Sequence, residues 1–240
     1  MKKIDISSAG LHILAMGFML LDHLWATVVP GNQWMTCVGR LAFPIFAFLL
    51  VEGFFHTRSR KKYALRLLVF ALITEIPFNL MVSGRLFFPL HQNVLWTFLI
   101  AFGLMTWIER VKDAAPWRRM FRFILSFAAG LLVGLLTMVD YYGYGVAMVL
   151  IFYLFRGNNW GCRLGQLVGL YWINVEMMGG LVYEFSFFGR LWVIHQQGFA
   201  VLALIPIWLY QGRKGHSSKV FQYFCYAFYP AHMLILGLLR

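Results

Sequence analysis

The sequence is poor in charged residues. Only 12% of its 240 residues are charged, against roughly a quarter in an ordinary soluble domain. Hydrophobic residues make up 61% and aromatic residues 18% of the chain, which is more apolar surface than a soluble domain of this size buries. This composition excludes a disordered chain. It predicts an integral membrane protein built from helices.

Cysteines and short catalytic motifs are also scarce. The three cysteines, Cys37, Cys162 and Cys225, are too few and too scattered for a disulfide scaffold or a metal site. We find no Gly-rich phosphate loop and no HExxH, CxxC or GxSxG motif, and we expect no bound metal. The first apolar run contains Asp22 and His23 and lacks a small-residue cleavage site, so it is interpreted as a retained helix rather than a signal peptide.

Nine apolar stretches follow one another with short polar breaks. Since a spanning helix takes about 20 residues, nine spans leave little chain for a soluble domain. We therefore expect one domain over residues 1–240, an all-α polytopic bundle of about nine transmembrane helices. The second and sixth stretches are short for a span, and we expect them to be tilted less, broken or sunk among their neighbours. The stretches lie near 10–30, 41–56, 63–83, 93–110, 120–139, 143–156, 164–184, 196–211 and 220–239.

The basic residues fall mainly on one side of this arrangement. All but four of the 21 Lys and Arg residues lie in alternate connections, and in membrane proteins such connections face the cytoplasm. The pattern predicts an N-terminus inside and a C-terminus outside, and it explains the net charge of +12 without a nucleic-acid partner. The inner set begins with Lys2 and Lys3; the four exceptions are Arg40, Arg85, Arg190 and Arg240.

Several ionisable side chains fall inside the predicted spans, where they are costly and therefore candidates for function. An interhelical hydrogen bond that holds the bundle together is the structural alternative. Asp22 and His23 are adjacent on one helix, so they point in different directions and need separate polar surroundings. His91, His195 and His216 fall in predicted loops and are expected to be solvated. The other polar candidates in or next to spans are Arg40, Glu52, Glu75, Asn93, Asp140, Asn174, Glu176 and His232.

A basic cluster precedes the third apolar stretch. It comprises Arg58, Arg60, Lys61, Lys62 and Arg66. Arginine and lysine side chains bind phosphate groups, so the cluster is placed to hold a polyanionic cosubstrate such as a nucleotide or coenzyme A. Topology and contact with anionic lipid would favour the same cluster.

Taken in order, the motifs resemble those of the conjugal-transfer TraX family of pilin acetylase-like membrane proteins. The resemblance runs from about residue 10 to the C-terminus and includes Asp22 and His23 in the first helix. The matching motifs are GRLAFPIF at 39–46, VEGF at 51–54, HT at 56–57, YALRL at 63–67, EIPFN at 75–79, QNV at 92–94, DYYGYG at 140–145 and YAFYPAH at 226–232.

The resemblance implies a multi-pass acyltransferase of the bacterial inner membrane. Such a protein would move acetyl from cytoplasmic acetyl-CoA to an amine acceptor, a pilin N-terminus in the family's case or another amine. By analogy with related membrane acyltransferases, His23 would be the general base and Asp22 its orienting partner. Substrate contacts are expected from Arg40, Glu52, Asn93, Asp140, Tyr229 and His232, and coenzyme A contacts from Arg58, Arg60, Lys62, Tyr63 and Arg66.

Two other kinds of protein fit the same residues. A proton-coupled transporter would use Asp22, Glu52 and Glu75 as a relay. A non-catalytic membrane protein of a conjugation apparatus would tolerate Asp22→Asn and would copurify with partners. Saturable binding of acetyl-CoA distinguishes the acyltransferase from the transporter, because a transporter has no need of coenzyme A.

Overall fold

The computed structural model describes residues 5–216 and 218–240, and most of the described chain is helical. Lys2 and Lys3 of the predicted charge pattern lie outside the described residues. A π-helical turn, Trp172–Met177, continues α8, and a 3-10 helix, Gln196–Ala203, leads into α9. The helices are α1 Ser8–Thr27, α2 Gln33–Gly39, α3 Ala42–His56, α4 Arg60–Ser83, α5 Val94–Glu109, α6 Pro116–Leu136, α7 Tyr142–Leu154, α8 Trp160–Tyr171, α9 Leu204–Trp208 and α10 Lys219–Leu239.

Four helical segments in the described chain are long and apolar enough to cross a membrane. They present large apolar side chains on their exposed faces, such as Leu72 on α4 and Leu136 on α6, which are 58% and 70% exposed. Exposed apolar faces of this kind are typical of membrane or protein contact surfaces. The helical membrane architecture predicted from composition is consistent with these segments, which are Ser8–Thr27, Gln33–His56, Arg60–Ser83 and Pro116–Leu136.

The two short apolar stretches, the second and the sixth, are accommodated in different ways. The second, 41–56, forms the unbroken helix α3. Arg40 and Leu41, whose backbone stays in the right-handed helical region, join it to α2, so a 24-residue segment begins at Gln33. The sixth, α7, lies among its neighbours and packs against α3, α5 and α6. Its residues from Val146 to Leu150 are fully buried. α7 is short because protein rather than lipid covers its sides.

The expectation of one continuous helix over 164–184 is wrong. The helix ends after Met177, and two glycines with positive φ, Gly179 and Gly180, follow. The chain then forms a hairpin of β1, Val182–Phe187, and β2, Arg190–His195. Both turn residues, Phe188 and Gly189, have positive φ, as a two-residue hairpin turn requires. β-branched and aromatic residues favour strands, but in a membrane chain the same residues make an apolar run that resembles a span.

Charged contacts mark the two ends of the bundle. At one end, Arg156 lies 2.8 Å from Glu52 and Arg60 lies 3.5 Å from Glu109. Near that end Arg213 bonds Asp5 at 2.6 Å. We call this the basic end. At the other end, which we call the histidine end, the Asp22–Arg40 and His91–Asp140 pairs join α1 to α2 and the loop before α5 to the loop before α7.

A close approach of α6 to α7 requires glycine. A Cβ atom at Gly143 would lie 2.3 Å from the carbonyl oxygen of Leu131. Because a backbone atom cannot move aside, we expect Gly143→Ala to lower the free energy of unfolding by about 1–3 kcal/mol or more. Gly103→Ala in α5 is the matched control, since nothing lies within 4 Å of its Cβ position. Thermal unfolding in detergent measures both; equal midpoints for the two variants would contradict the packing.

Candidate active site

Asp22 and His23 project from α1 toward different helices, because successive helical residues are about 100° apart. Asp22 contacts α2: one terminal nitrogen of Arg40 bonds both of its carboxylate oxygens, and the Thr36 hydroxyl donates to it at 2.7 Å. Gly39 lets the helices meet, since a Cβ there would lie 2.4 Å from that of Asp22. The ion pair is largely covered, with 15% of Asp22 and 16% of Arg40 exposed.

His23 faces α10 and pairs with His232. The two imidazole planes are parallel, with centroids 5.0 Å apart, and Nδ1 of His23 lies 2.8 Å from Nε2 of His232, so the rings meet edge to edge. Nδ1 of His232 lies 2.7 Å from the carbonyl oxygen of Phe228. A carbonyl only accepts, so that nitrogen carries a proton. Neutral His232 then accepts at Nε2 from His23, which leaves the lone pair of His23 on its own Nε2. The pairing gives His23 the tautomer of a general base.

This geometry corrects the expected role of Asp22. Its hydrogen bonds come from Arg40 and Thr36, and the partner that orients His23 is His232. His232 was expected to contact substrate; in the structure it is 6% exposed and its contact is with the His23 ring. The expectation that Asp22 and His23 would have separate polar surroundings is confirmed.

A cavity of about 370 Å³ opens beside these groups at the histidine end. We call it the polar cavity. Asp22, His23 and Arg40 line it together with His91, Asp140, Tyr141 and Tyr142. Gln197 and Tyr229 also line it. The cavity therefore gathers two carboxylates, one guanidinium and two imidazoles from α1, α2 and two loops.

His91 belongs to this site, although its loop position predicted a solvated side chain. Its Nε2 lies 3.3 Å from Oδ1 of Asp140, and this hydrogen bond raises the pKa of His91 above its usual value. Gln92 ties the two loops together, because its backbone amide donates to Met138 at 2.9 Å and its carbonyl accepts from Asp140 at 2.8 Å. The Thr97 hydroxyl donates to the Asp140 carbonyl at 2.6 Å. Sequence reasoning lacked a signal that these loops meet.

The turn that carries Asp140 has an unusual backbone. Three non-glycine residues in it, Met138, Tyr141 and Tyr142, have φ between 47° and 59°. Such conformations cost of order 1–3 kcal/mol each and persist where the surroundings over-determine them. Here the Gln92 bridge and the stacking of Tyr141 on Phe43 supply that constraint. These contacts maintain the strained turn and so hold Asp140 at the edge of the polar cavity.

A second cavity of about 170 Å³ lies between α1, α3, α4, α5 and α10. We call it the apolar cavity. His12, Tyr63 and Arg66 line it toward the basic end, and Arg66 sits over the Tyr63 ring at 5.5 Å. The two cavities share wall residues, so they abut. The shared residues are Met19, Phe46, Val94, Phe98 and Tyr229.

Other predicted site residues lie outside both cavities. Glu52 is at the basic end, 2.8 Å from Arg156 and 3.7 Å from His56, so it lines neither cavity, and its contact with substrate stays a prediction. Arg60 is held by Glu109 and by the Phe54 ring, 4.0 Å from its guanidinium carbon. Arg58 and Lys62 are exposed at the same end and line neither cavity.

Asn93 is also a structural residue in this geometry. It is fully buried, its side-chain oxygen caps α5, and its amide nitrogen donates to Glu75 at 2.5 Å and to the Ala71 carbonyl at 2.9 Å. Trp96 donates to the same Glu75 oxygen at 3.1 Å. The amide protons of Asn93 are engaged by Ala71 and Glu75, so Asn93 is not a free donor in this geometry, and its contact with substrate stays a prediction.

A family model and two known proteins match this chain. The family model described as TraX protein matches residues 7–240. The chain is 31% identical to the probable fimbrial assembly protein FimC, serogroup H1, of Dichelobacter nodosus, over 98% of this chain and 96% of that protein. It is 30% identical to Protein TraX of Escherichia coli, over 65% of this chain and 60% of that protein. No solved structure matches the chain.

Proposed function

The chain belongs to the TraX family, and from this premise we propose that it is a membrane-embedded acetyltransferase. It takes acetyl from cytoplasmic acetyl-CoA and transfers it to an amine acceptor such as the N-terminus of a pilin-like subunit. The observation that carries the proposal is the His232–His23 pair beside a polar cavity. A neutral, oriented imidazole at a cavity wall is the group that deprotonates an amine.

The proposed topology has nine crossings of a bacterial inner membrane. The π-helix and the 3-10 helix complete the seventh and eighth crossings, on either side of the β-hairpin. The basic end faces the cytoplasm because it holds the Lys- and Arg-rich connections, and the C-terminus is outside. His12 and His23 are then separated by eleven residues, or about 16 Å along α1. The polar cavity thus lies in the outer half of the bilayer.

The apolar cavity would receive the pantetheine arm of acetyl-CoA. It reaches from Arg66, next to the basic end, to Tyr229 at the wall of the polar cavity. An arm threaded this way presents its thioester where the cavities abut. The nucleotide and its phosphates remain at the cytoplasmic surface, near Arg66 at the edge of the cavity and the exposed side chains of Arg58 and Lys62. Arg60 contributes less, because Glu109 already engages it.

The transfer step uses His23, Arg40 and Tyr229, which all line the polar cavity. His23 accepts a proton from the acceptor amine as its nitrogen attacks the thioester carbon, and the carbon–sulfur bond then breaks. The proton passes from His23 to the leaving thiolate, which regenerates the base. Developing charge on the carbonyl oxygen needs hydrogen-bond donors. The Tyr229 hydroxyl, at the junction of the cavities, and the Arg40 guanidinium are the candidates.

A proton-coupled transporter has less support from the same geometry. Its relay would join Asp22, Glu52 and Glu75, yet Glu52 is paired with Arg156 at the basic end. Glu75 bonds Asn93 and Trp96 and lines neither cavity. A relay needs groups that meet or share a water-filled passage, and these three carboxylates do not.

Coenzyme A binding tests the assignment of the apolar cavity. We expect Arg66→Ala to raise the Kd of coenzyme A roughly tenfold, because a charge-assisted contact to phosphate is lost. Arg85→Ala is the matched control, since Arg85 is an exposed arginine beyond the opposite end of α4. Isothermal titration of both variants in nanodiscs measures the effect. Equal Kd values would place the nucleotide elsewhere, and no saturable binding to wild type would contradict the proposed function.

A further inference from the structure

The polar cavity contains a histidine–carboxylate pair, His91 and Asp140, that the transfer step above leaves unused. We propose that His91 and Asp140 form a second proton acceptor, which removes the proton of the acceptor's ammonium group before His23 removes the other. The inference rests on the proposed function and extends it. It assigns a role to the two loops that meet through the Gln92 bridge and line the cavity.

The chemistry of an amine acceptor requires two proton transfers. A primary amine reaches the site mostly as its ammonium ion, because an α-amino group has a pKa of about 7.7–8.0. One proton must leave to free the nitrogen lone pair. When the carbon–nitrogen bond has formed and the carbon–sulfur bond breaks, a second proton leaves nitrogen and ends on the thiolate through His23. Ammonium and thioester thus give amide, thiol and one released proton, which needs its own acceptor.

The position of His91 suits the released proton. Its imidazole and the Asp140 carboxylate are 30% and 28% exposed, about twice the exposure of the Asp22–Arg40 pair. A proton taken there can pass to water at the cavity mouth. His23, in contrast, has its Nδ1 committed to the buried His232, so it is suited to a proton that stays within the site.

The loops hold His91 rigidly. Phe78 of α4 packs edge-on against its ring, with centroids 5.1 Å apart, and Tyr142 stacks on it at 6.4 Å. The Gln92 bridge sets the loop against the turn that carries Asp140. An imidazole that merely faced solvent would need none of these contacts.

The charges around His91 favour its role as a base for an ammonium ion. Asp140 from the loop before α7 and Glu75 from α4 both raise its pKa, and partial burial opposes them. Tyr142 is the remaining titratable neighbour in contact with its ring. A raised pKa brings His91 nearer to that of the ammonium ion, so the proton transfer is closer to balanced. The Asp140 carboxylate also attracts the cationic acceptor.

Asp22, Arg40 and His23 also line the cavity, but Asp140, Glu75 and burial account for the shift in the pKa of His91. Asp22 and Arg40 neutralise each other in their ion pair. His23 holds its Nδ1 proton toward His232. The basic form of His91 therefore grows as pH rises through its raised pKa, and the acidic limb of the pH–rate profile should report this step.

The test uses purified protein in nanodiscs with acetyl-CoA and a series of primary amines whose ammonium pKa values span neutral pH. For strongly basic amines at pH 7, we expect His91→Gln to lower kcat/KM roughly 100-fold. The rate should recover as pH rises above the ammonium pKa, and weakly basic amines should be nearly unaffected. Asp140→Asn keeps the side-chain shape and should move the acidic limb to lower pH. His216→Gln, an exposed histidine, is the control.

The outcomes separate the inference from the function on which it rests. A uniform loss at every pH and with every amine would indicate only a structural role for His91 and would overturn the inference. Unchanged profiles in both His91→Gln and Asp140→Asn would overturn it as well. Failure of the wild-type protein to acetylate any amine would overturn the proposed function itself. Thermal unfolding of each variant identifies a loss of fold.

Discussion

Replacement of His23 by glutamine will lower the rate of acetyl transfer by about 10²–10⁴-fold, the usual contribution of a general base. Glutamine fills much of the space of the imidazole but cannot take up a proton. Binding of acetyl-CoA should be unchanged, since His23 lines the polar cavity and not the apolar one. A mass-shift assay of the acceptor measures the rate, with His216→Gln as the control. Full turnover in His23→Gln would exclude His23 as the base.

The same assay separates His232 from His23. His232 positions the base through Nδ1 of His23, so His232→Gln should reduce the rate by less than His23→Gln does. The double variant should be no slower than His23→Gln alone, because residues that act as a unit are not additive. The pH–rate profile of His232→Gln should also change, which a purely structural contact would not cause. Additive losses would contradict the pairing.

Replacement of Asp22 by alanine will destabilise the protein more than any other single change considered above. It leaves the Arg40 guanidinium, which is 16% exposed, without its counter-ion. Removal of one partner of a buried ion pair costs about 3–5 kcal/mol. We expect a marked fall in the midpoint of thermal unfolding in detergent.

Two further variants separate this effect from a general loss of charge. Asp22→Ala combined with Arg40→Leu should recover much of the midpoint, because an apolar pair no longer buries an unpaired charge. Arg213→Ala breaks the Arg213–Asp5 pair, in which Arg213 is 62% exposed, and should change the midpoint little. Equal losses for Asp22→Ala and Arg213→Ala would show that the Asp22–Arg40 pair is not a buried tie between α1 and α2.

The sequence identifies those functional residues whose position inside an apolar run is itself unusual. Asp22 and His23 stand out because ionisable side chains inside an apolar run are costly, and the geometry places both at one cavity. The helical class follows from composition in the same way. A comparison of each side chain with the apolar surroundings that its span predicts identifies single residues and not pairs.

Contacts between residues far apart in the sequence could not be predicted in this way. His232 is 209 residues from His23, and no local pattern indicates that α10 presents it to α1. Asp22 was assigned to His23 by analogy with related membrane acyltransferases, whereas helical geometry turns the two side chains apart. His91 was placed in a solvated loop, because nothing in the sequence indicates that Gln92 pairs with the turn before α7.

The β-hairpin was missed for a different reason. In a soluble chain, Val182 to Phe187 and Arg190 to His195 around a Phe-Gly turn would favour two strands. In a chain that is 61% hydrophobic, the first of these runs merges with the preceding apolar stretch. Glycines at 179 and 180 were the available signal for the end of the helix.

Acetyl transfer by the purified protein in sealed vesicles tests the proposed acetyltransferase function most directly. Radiolabelled acetyl-CoA is supplied only at the face that exposes the basic end, and a primary amine acceptor is present on the other side. We expect labelled acceptor with wild type and with His216→Gln, and almost none with His23→Gln. Equal labelling by His23→Gln would contradict the role of His23 as the base, and no labelling by wild type would contradict acetyl transfer itself.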